Sequence, residues 1–312
     1  MNLNRCQKVP TRTLFILLFW VCRYEHQRNN TRLDKFIQYH WYILQSCEVI
    51  FCKENIDAIS EEEASLPIQK PYYRICRPFV SGGYFPDWEH IYLRDIRYAA
   101  DSVNFIRSYH LLEKDLYTIF EYVEPTDDNL ECYSHQLYTL LLRACTEFEA
   151  NAKAILVANG YSRKKATLRV EDYYKINVAT RLDKYMISIP IWQGNYNRIQ
   201  PFQKWSVGPT LSWYQAYNKV KHSRSYNFDC ASLKNVINAV GAVFAILFAQ
   251  FNVFAFDPHH PVGEYNIDGD ALSYDNCRLT VEPPKQWQTD EHYDFDWTIL
   301  KNDVSPFQSY PF

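Results

Sequence analysis

The segment Trp213-Tyr-Gln-Ala-Tyr217-Asn218-Lys219-Val220-Lys221-His222-Ser223-Arg224 holds the residue types most able to do chemistry in this chain. Asn218 and His222 are four apart, so on a helix both project from one face, with Tyr214 a turn earlier on it. Lys219, Lys221 and Arg224 add three cations close by. Histidine takes and gives a proton near neutral pH. Cations beside it can stabilise charge that develops on phosphate oxygens. Together these groups suit a phosphodiester. Trp213, Tyr217 and Val220, on the other side of the same helix, would anchor it in a core. The plainer account is that His222 complements the dipole at a helix C-terminus while Lys219 and Lys221 form a solvated face.

Few other places compete with this segment. His259-His260 with Asp257, Asp268 and Asp270 has the elements of a metal site, but the spacing matches no ligand pattern and a polar turn is expected. Glu61–Glu63 reads as a solvated charge run, and Asn29-Asn30-Thr31 is a glycosylation sequon without a secretory context. No GxGxxG, Walker loop, HExxH or GxSxG occurs, so neither a cofactor nor a metal is expected.

A series of helical patterns is expected to position these groups. Patterning begins near Asp87, with Trp88–Leu93 and then Ile96–Leu112, the latter carrying Ile96, Ala99, Ala100, Val103, Phe105 and Ile106 at helical spacing. After a break, Leu116–Val123 continues to Glu124-Pro125. Asn129–Asn159 is the clearest helix. Leu137, Leu141, Ala144, Phe148, Ala152 and Ile155 form one apolar stripe, Asp127 or Asp128 caps the start, and Gly160 takes the left-handed end. Glu149 and Lys153 make an i,i+4 pair. Glu171–Met186 is the third pattern. Ile187–Trp192 alternates and reads as an edge strand, because Pro190 cannot sit in a central one. Leu211–His222 is a short helix, followed by a long one capped by Asp229 or Ser232 and running to about Phe254. Beyond Asp257-Pro258 the tail is polar and aromatic, with a strand at Arg278–Val281.

The composition sets limits on what this scaffold can be. Of the 312 residues 47% are hydrophobic and 22% charged, enough apolar side chain for a core. Tyr and Trp number 25 and 8, which favours half-buried contact positions. The net charge of −3 excludes a chain built mainly to hold duplex DNA, so a nucleic-acid contact must be local. The nine cysteines are odd in number and contain no C-x-x-C pair, which points to reduced thiols, a cytoplasmic setting and no structural zinc. Leu14–Cys22 follows basic residues as a signal peptide does but has no small-residue cleavage site after it. Ala239–Phe256 is apolar over 18 residues but includes Gln250 and Asn252 and has no basic flank. A buried core helix, with no membrane contact, is therefore expected.

The resulting expectation is a mainly α protein in three parts. Residues 1–86 are an irregular N-terminal arm and Pro-bearing linker, 87–256 a helical bundle, and 257–312 a C-terminal aromatic extension with short strands. Residues 1–56 lack a clean period and are read either as an amphipathic arm or as a segment foreign to the fold.

A helix bearing a polar residue and then Lys-His, directly ahead of a long apolar final helix, resembles HEPN-type domains. So does a preceding long helix with Arg and Glu on one turn, here Arg143-Ala-Cys-Thr-Glu147-Phe-Glu149. The resemblance covers about residues 90–256. HEPN domains are small helical bundles common in prokaryotic defence, toxin–antitoxin and stress systems, and many are metal-independent ribonucleases that act as dimers. Carried onto this sequence, the family histidine falls on His222 and the polar residue on Asn218. Active members carry an arginine shortly before the histidine. Here that stretch holds Gln215, Ala216 and Tyr217, leaving Lys219, Lys221, Arg224 or Arg143 as substitutes. The resemblance implies an endoribonuclease in which His222 activates an RNA 2′-hydroxyl, Lys221 and Arg224 stabilise the charged phosphate, and Asn218 and Glu147 orient the groups. From the residues themselves, Glu147 is expected to do no more than pair with Arg143. The alternative is a catalytically inactive helical module that binds RNA or a protein partner, or that forms a homodimer through aromatic surface.

Overall fold

The computed structural model describes residues 66–84, 89–161, 168–252, 265–268, 271–274 and 278–312, the two short runs 265–268 and 271–274 by backbone alone. The chain divides into Met1–Ala64 and Ser65–Phe312, and the described residues lie in the second unit. The expected N-terminal features at Leu14–Cys22, Asn29–Thr31 and Glu61–Glu63 therefore fall outside the described residues.

The protein is mainly α. After a 3-10 segment at Glu89–Arg94, helix α1 spans Ser102–Phe120 and α2 spans His135–Ala158. Two single turns follow, α3 (Val170–Tyr174) and α4 (Ile176–Thr180). Then come α5 (Ser212–Asn227), α6 (Leu233–Phe251) and the short α7 (Trp297–Leu300). Helices α2 and α6 are the central pair, with α1 and α5 packed on them. Almost every side chain of α6 is buried, as the core reading of that apolar stretch requires. The stripe Leu137, Leu141, Ala144, Phe148, Ala152 and Ile155 on α2 is fully buried.

Several boundaries differ from expectation, each for a local reason. Ser134, not Asp127 or Asp128, caps α2, its hydroxyl accepting from the Leu137 amide at 3.2 Å. Gly160 does end that helix, at φ 74°. Helix α1 runs through the expected break, because buried Glu113 finds partners both one turn earlier in the helix and on the chain at 278–279. Its Oε1 accepts from Tyr109 Oη at 2.9 Å and from the Arg278 and Leu279 amides at 2.8 and 3.1 Å. Ile96 and Val103, expected on the apolar stripe, are 74% and 53% exposed. The Glu171–Met186 pattern breaks at Arg181, which is left-handed at φ 54°.

Among the described residues five antiparallel strands form one sheet in the order β2-β1-β5-β4-β3, with β1 at Met186–Ser188, β2 at Arg198–Ile199, β3 at Tyr265–Asp268, β4 at Ala271–Tyr274 and β5 at Thr280–Glu282. Ile187 faces Ile199 on one side and Val281 on the other. The segment expected as an edge strand is thus an interior one. It is compatible with Pro190 because the last strand bond, from the Ile189 amide to the Asn197 carbonyl at 2.8 Å, falls one residue before the proline. The sheet lies close to α6 at Gly241, where a Cβ would meet Ile199 Cδ1 at 3.0 Å.

The core also extends beyond residues 87–256. Ile75, Cys76 and Phe79 on one side and Tyr293 and Phe307 on the other are buried. The stretch expected as a linker therefore belongs, from residue 66, to the packed unit.

Candidate functional site

Helix α5 is fixed by its apolar side. Trp213, Ala216, Tyr217 and Val220 recur at spacings of three and four and are buried. Trp213 Nε1 donates to the Pro201 carbonyl at 2.8 Å, and its ring meets Phe148 of α2 edge-on at 5.2 Å. The helix is then kinked before its last turn. Ser223 sits at φ −150°, ψ 63°, so His222 is the last residue before the break. The expected limit at His222 thus falls at a kink rather than at the end of the helix, which continues to Asn227.

Asn218 and His222 stand one turn apart, Asn218 half-buried and His222 exposed. Tyr214, expected on this exposed face, is buried instead, and its hydroxyl donates to Glu149 Oε1 of α2 at 2.8 Å. Positions four apart drift by about 40° around a helix, so the row Tyr214–Asn218–His222 leaves the α2 interface one step at a time. Burial and the neighbouring Glu149 push the Tyr214 phenol far above its ordinary value, so it stays a hydrogen-bond donor. Glu149 also meets Lys153 at 3.5 Å, the expected i,i+4 pair.

The cations around His222 are held but not neutralised. Lys221 Nζ donates to Tyr217 Oη at 2.9 Å and lies 4.9 Å from that ring. The bond to Tyr217 raises the Lys221 pKa, which keeps its charge. The Arg224 guanidinium lies 5.7 Å from the Tyr138 ring of α2. Lys219 is exposed, and the whole of Ser212–Asn227 contains no carboxylate. In a chain of net charge −3, this is a local positive surface.

Arg143 and Glu147 are not part of it. Tyr138 and Glu149 mark the side of α2 that meets α5. At about 100° per residue, Arg143 and Glu147 point the opposite way. Arg143 pairs with Asp115 of α1. Glu147 lines a cleft of about 230 Å³ with Ser108, Leu111 and Leu142. Burial raises its carboxyl above the ordinary value, and Ser108 and then Arg143 oppose the shift. The expected Arg143–Glu147 partnership is therefore secondary to Arg143–Asp115.

Sequence reasoning missed His135 and Tyr138, which lie near the start of α2. The His135 ring is 4.8 Å and the Tyr138 ring 6.0 Å from Phe228, just beyond α5. A second exposed imidazole thus shares an aromatic patch with Arg224. Nothing in the periodicity marks it, because His135 lies off the apolar stripe and 87 residues from His222.

Among the described residues, no group of three potential metal ligands occurs. His259, His260, Asp257 and Asp270, and the Asp268 side chain, lie outside the described residues. The described cysteines, Cys76, Cys132, Cys145 and Cys230, are free thiols, and burial pushes Cys76 up to about 12. No family model, curated protein or solved structure matches the chain.

Proposed function

We propose that this is a HEPN-like endoribonuclease whose reacting surface is the turn of α5 that carries Asn218 and His222, just ahead of the kink. The observation that carries the reading is the exposure of His222 at the helix break, one turn from Asn218, on a segment with three cations and no carboxylate. The imidazole removes the proton from an RNA 2′-hydroxyl. The 2′-oxygen attacks the adjacent phosphorus, the new O–P bond forms and the bond to the 5′-oxygen breaks. Lys219, Lys221 and Arg224 stabilise the charge gathered on the phosphate oxygens. Asn218 orients the phosphate through its carboxamide. The departing 5′-oxygen needs a proton, and that part is assigned to His135, the second exposed imidazole, on the aromatic patch that also holds Arg224. The products are a 2′,3′-cyclic phosphate and a 5′-hydroxyl. Because the nucleophile belongs to the RNA itself, the step draws on no metal-bound water. Arg143 and Glu147 have no part in it.

The test is cleavage of single-stranded RNA in chelator by the wild type, His222→Ala and Asn218→Ala. Loss of a general base costs about 10²–10⁴-fold in rate, and His222→Ala should fall in that range with its fold intact. Removing the carboxamide should cost about tenfold, as one orienting hydrogen bond does. RNA bound but left uncut by the wild type would instead favour the non-catalytic binding module.

A further inference from the structure

Ten residues before His222, α5 begins at the rim of a polar cleft of about 290 Å³. The cleft lies between β2 and the first turns of α5 and α6. Arg198, Lys204, Lys234, Ser212, Asn235 and Asn238 are on its walls. Lys204 is exposed and makes no ion pair among the described residues. Arg198 pairs with Glu282 but keeps 52% of its side chain exposed. Lys234 approaches Glu131 only to 3.7 Å, in a pair open to solvent. Each of these cations retains N–H groups for a further anion.

The two asparagines are oriented by their amide nitrogens. Asn238 Nδ2 donates to Tyr196 Oη at 2.5 Å and to the Lys234 carbonyl at 2.8 Å. Asn235 Nδ2 donates to the Cys230 carbonyl at 3.0 Å and Ser232 Oγ at 3.3 Å. Both carboxamide oxygens remain as acceptors. Cations suited to phosphate and carbonyl acceptors suited to base N–H groups thus meet in one cleft. Its volume is at the lower end of ligand pockets, roughly 300 Å³ and upward, which fits one nucleotide rather than a duplex.

An exposed strip of α5 leads from the cleft, which it meets at Ser212, toward His222. Ser212, Gln215, Lys219 and His222 are all exposed and follow spacings of three, four and three. They lie within about 80° of one another around α5 and span about 15 Å of its length. This polar strip, free of carboxylates, is a path for an extended strand of a few nucleotides.

We infer that the cleft takes one nucleotide of single-stranded RNA a few positions from the bond that meets His222. Its phosphate lies on Lys204, Arg198 and Lys234, and its base edge on the oxygens of Asn235 and Asn238. The inference rests on the reading of α5 as an RNA-cleaving surface and adds to it the site that sets where the strand lies.

The experiment uses the full chain carrying His222→Ala, so that RNA stays intact. A labelled single-stranded RNA of about eight nucleotides is titrated by fluorescence anisotropy. Lys204→Glu and Lys234→Gln should each raise Kd about tenfold or more and lower the salt slope by about one. Lys114→Glu, an exposed charge reversal on α1, should leave Kd unchanged. Binding that is absent, or as tight with Lys204→Glu as without it, overturns the inference. So does a mononucleotide that competes as well as the oligonucleotide, which would assign the cleft to free nucleotide. A wild-type chain that binds with this lysine dependence but cuts nothing upholds the cleft and removes the catalytic reading. Cleavage with Lys204-independent binding does the reverse.

Discussion

His222 owes its exposure to its place on α5, just ahead of the kink. One residue later Ser223 leaves helical space, and the row from Tyr214 through Asn218 has already turned away from α2. This much was legible in the spacing, because i,i+4 residues share a face whatever surrounds them. The sequence could not show which neighbour each face of α2 would meet. Arg143 and Glu147 sit on one turn with the polarity of an active-site pair, yet they face α1 and Asp115. His135 was hidden for the converse reason, since only folding brings it to Phe228 and so to the Arg224 patch. Its assigned role separates from that of His222 by choice of substrate. His135→Ala should slow cleavage of ordinary RNA by about 10²-fold. A substrate with sulfur in place of the bridging 5′-oxygen leaves without protonation and should restore that variant but not His222→Ala. Equal defects of His135→Ala on both substrates would remove its acid role.

Between elements, one carboxylate sets the approach to β2. Asp127 accepts from Trp192 Nε1 at 2.8 Å and from the amides of Asn195 and Tyr196 at 2.7 and 3.0 Å. Tyr196 is thereby turned toward Asn238 on the wall of the polar cleft. Gly194 permits the clasp. It stands at φ 130°, and a Cβ there would lie 2.5 Å from Asp127 Cγ. Gly194→Ala should lower stability by on the order of 2 kcal/mol in chemical denaturation. The Trp192 bond, followed by the two amides, holds the Asp127 carboxyl below its ordinary value of 3.8. The folded state therefore binds this proton less readily than the unfolded one. The stability it confers is complete above that value and lost as pH falls below 3.8 through the depressed one. Asp127→Asn should flatten this acid limb in melting curves recorded across pH, and an unchanged limb would exclude the clasp as its source. None of this could be read from Asp127 as a helix cap. An aspartate ahead of a helix signals capping equally well whether its oxygens turn to its own helix or to a loop over 60 residues away. The strand at Ile187 was visible by its alternation, but its interior place depends on β5, which arrives about 90 residues later.

The described unit is closed by the two segments flanking the expected bundle. Tyr293 Oη donates to the Ile75 carbonyl at 2.7 Å and accepts from the Tyr72 amide at 3.1 Å, in a fully buried position. Arg77 Nε donates to the Ala179 carbonyl at 3.2 Å, and Arg74 Nη1 reaches Gln250 Oε1 of α6 at 3.1 Å. Periodicity found the bundle because helices advertise a stripe. It missed these closures because single aromatic and arginine anchors have no period. Tyr293→Phe keeps the ring and strands two partners, so it should cost about 2 kcal/mol in denaturant unfolding. A loss near zero would show that the flanking segments are held by packing alone. With the scaffold closed in this way, the proposed chemistry at His222 can be tested on the whole chain. The most direct measurement is mass spectrometry of RNA fragments, comparing an oligonucleotide with its 2′-O-methyl analogue. The wild type should yield 2′,3′-cyclic phosphate and 5′-hydroxyl ends from the first and nothing from the second, with both ends lost in His222→Ala. Cutting of the methylated strand, or the same ends at an undiminished rate from His222→Ala, would contradict the account.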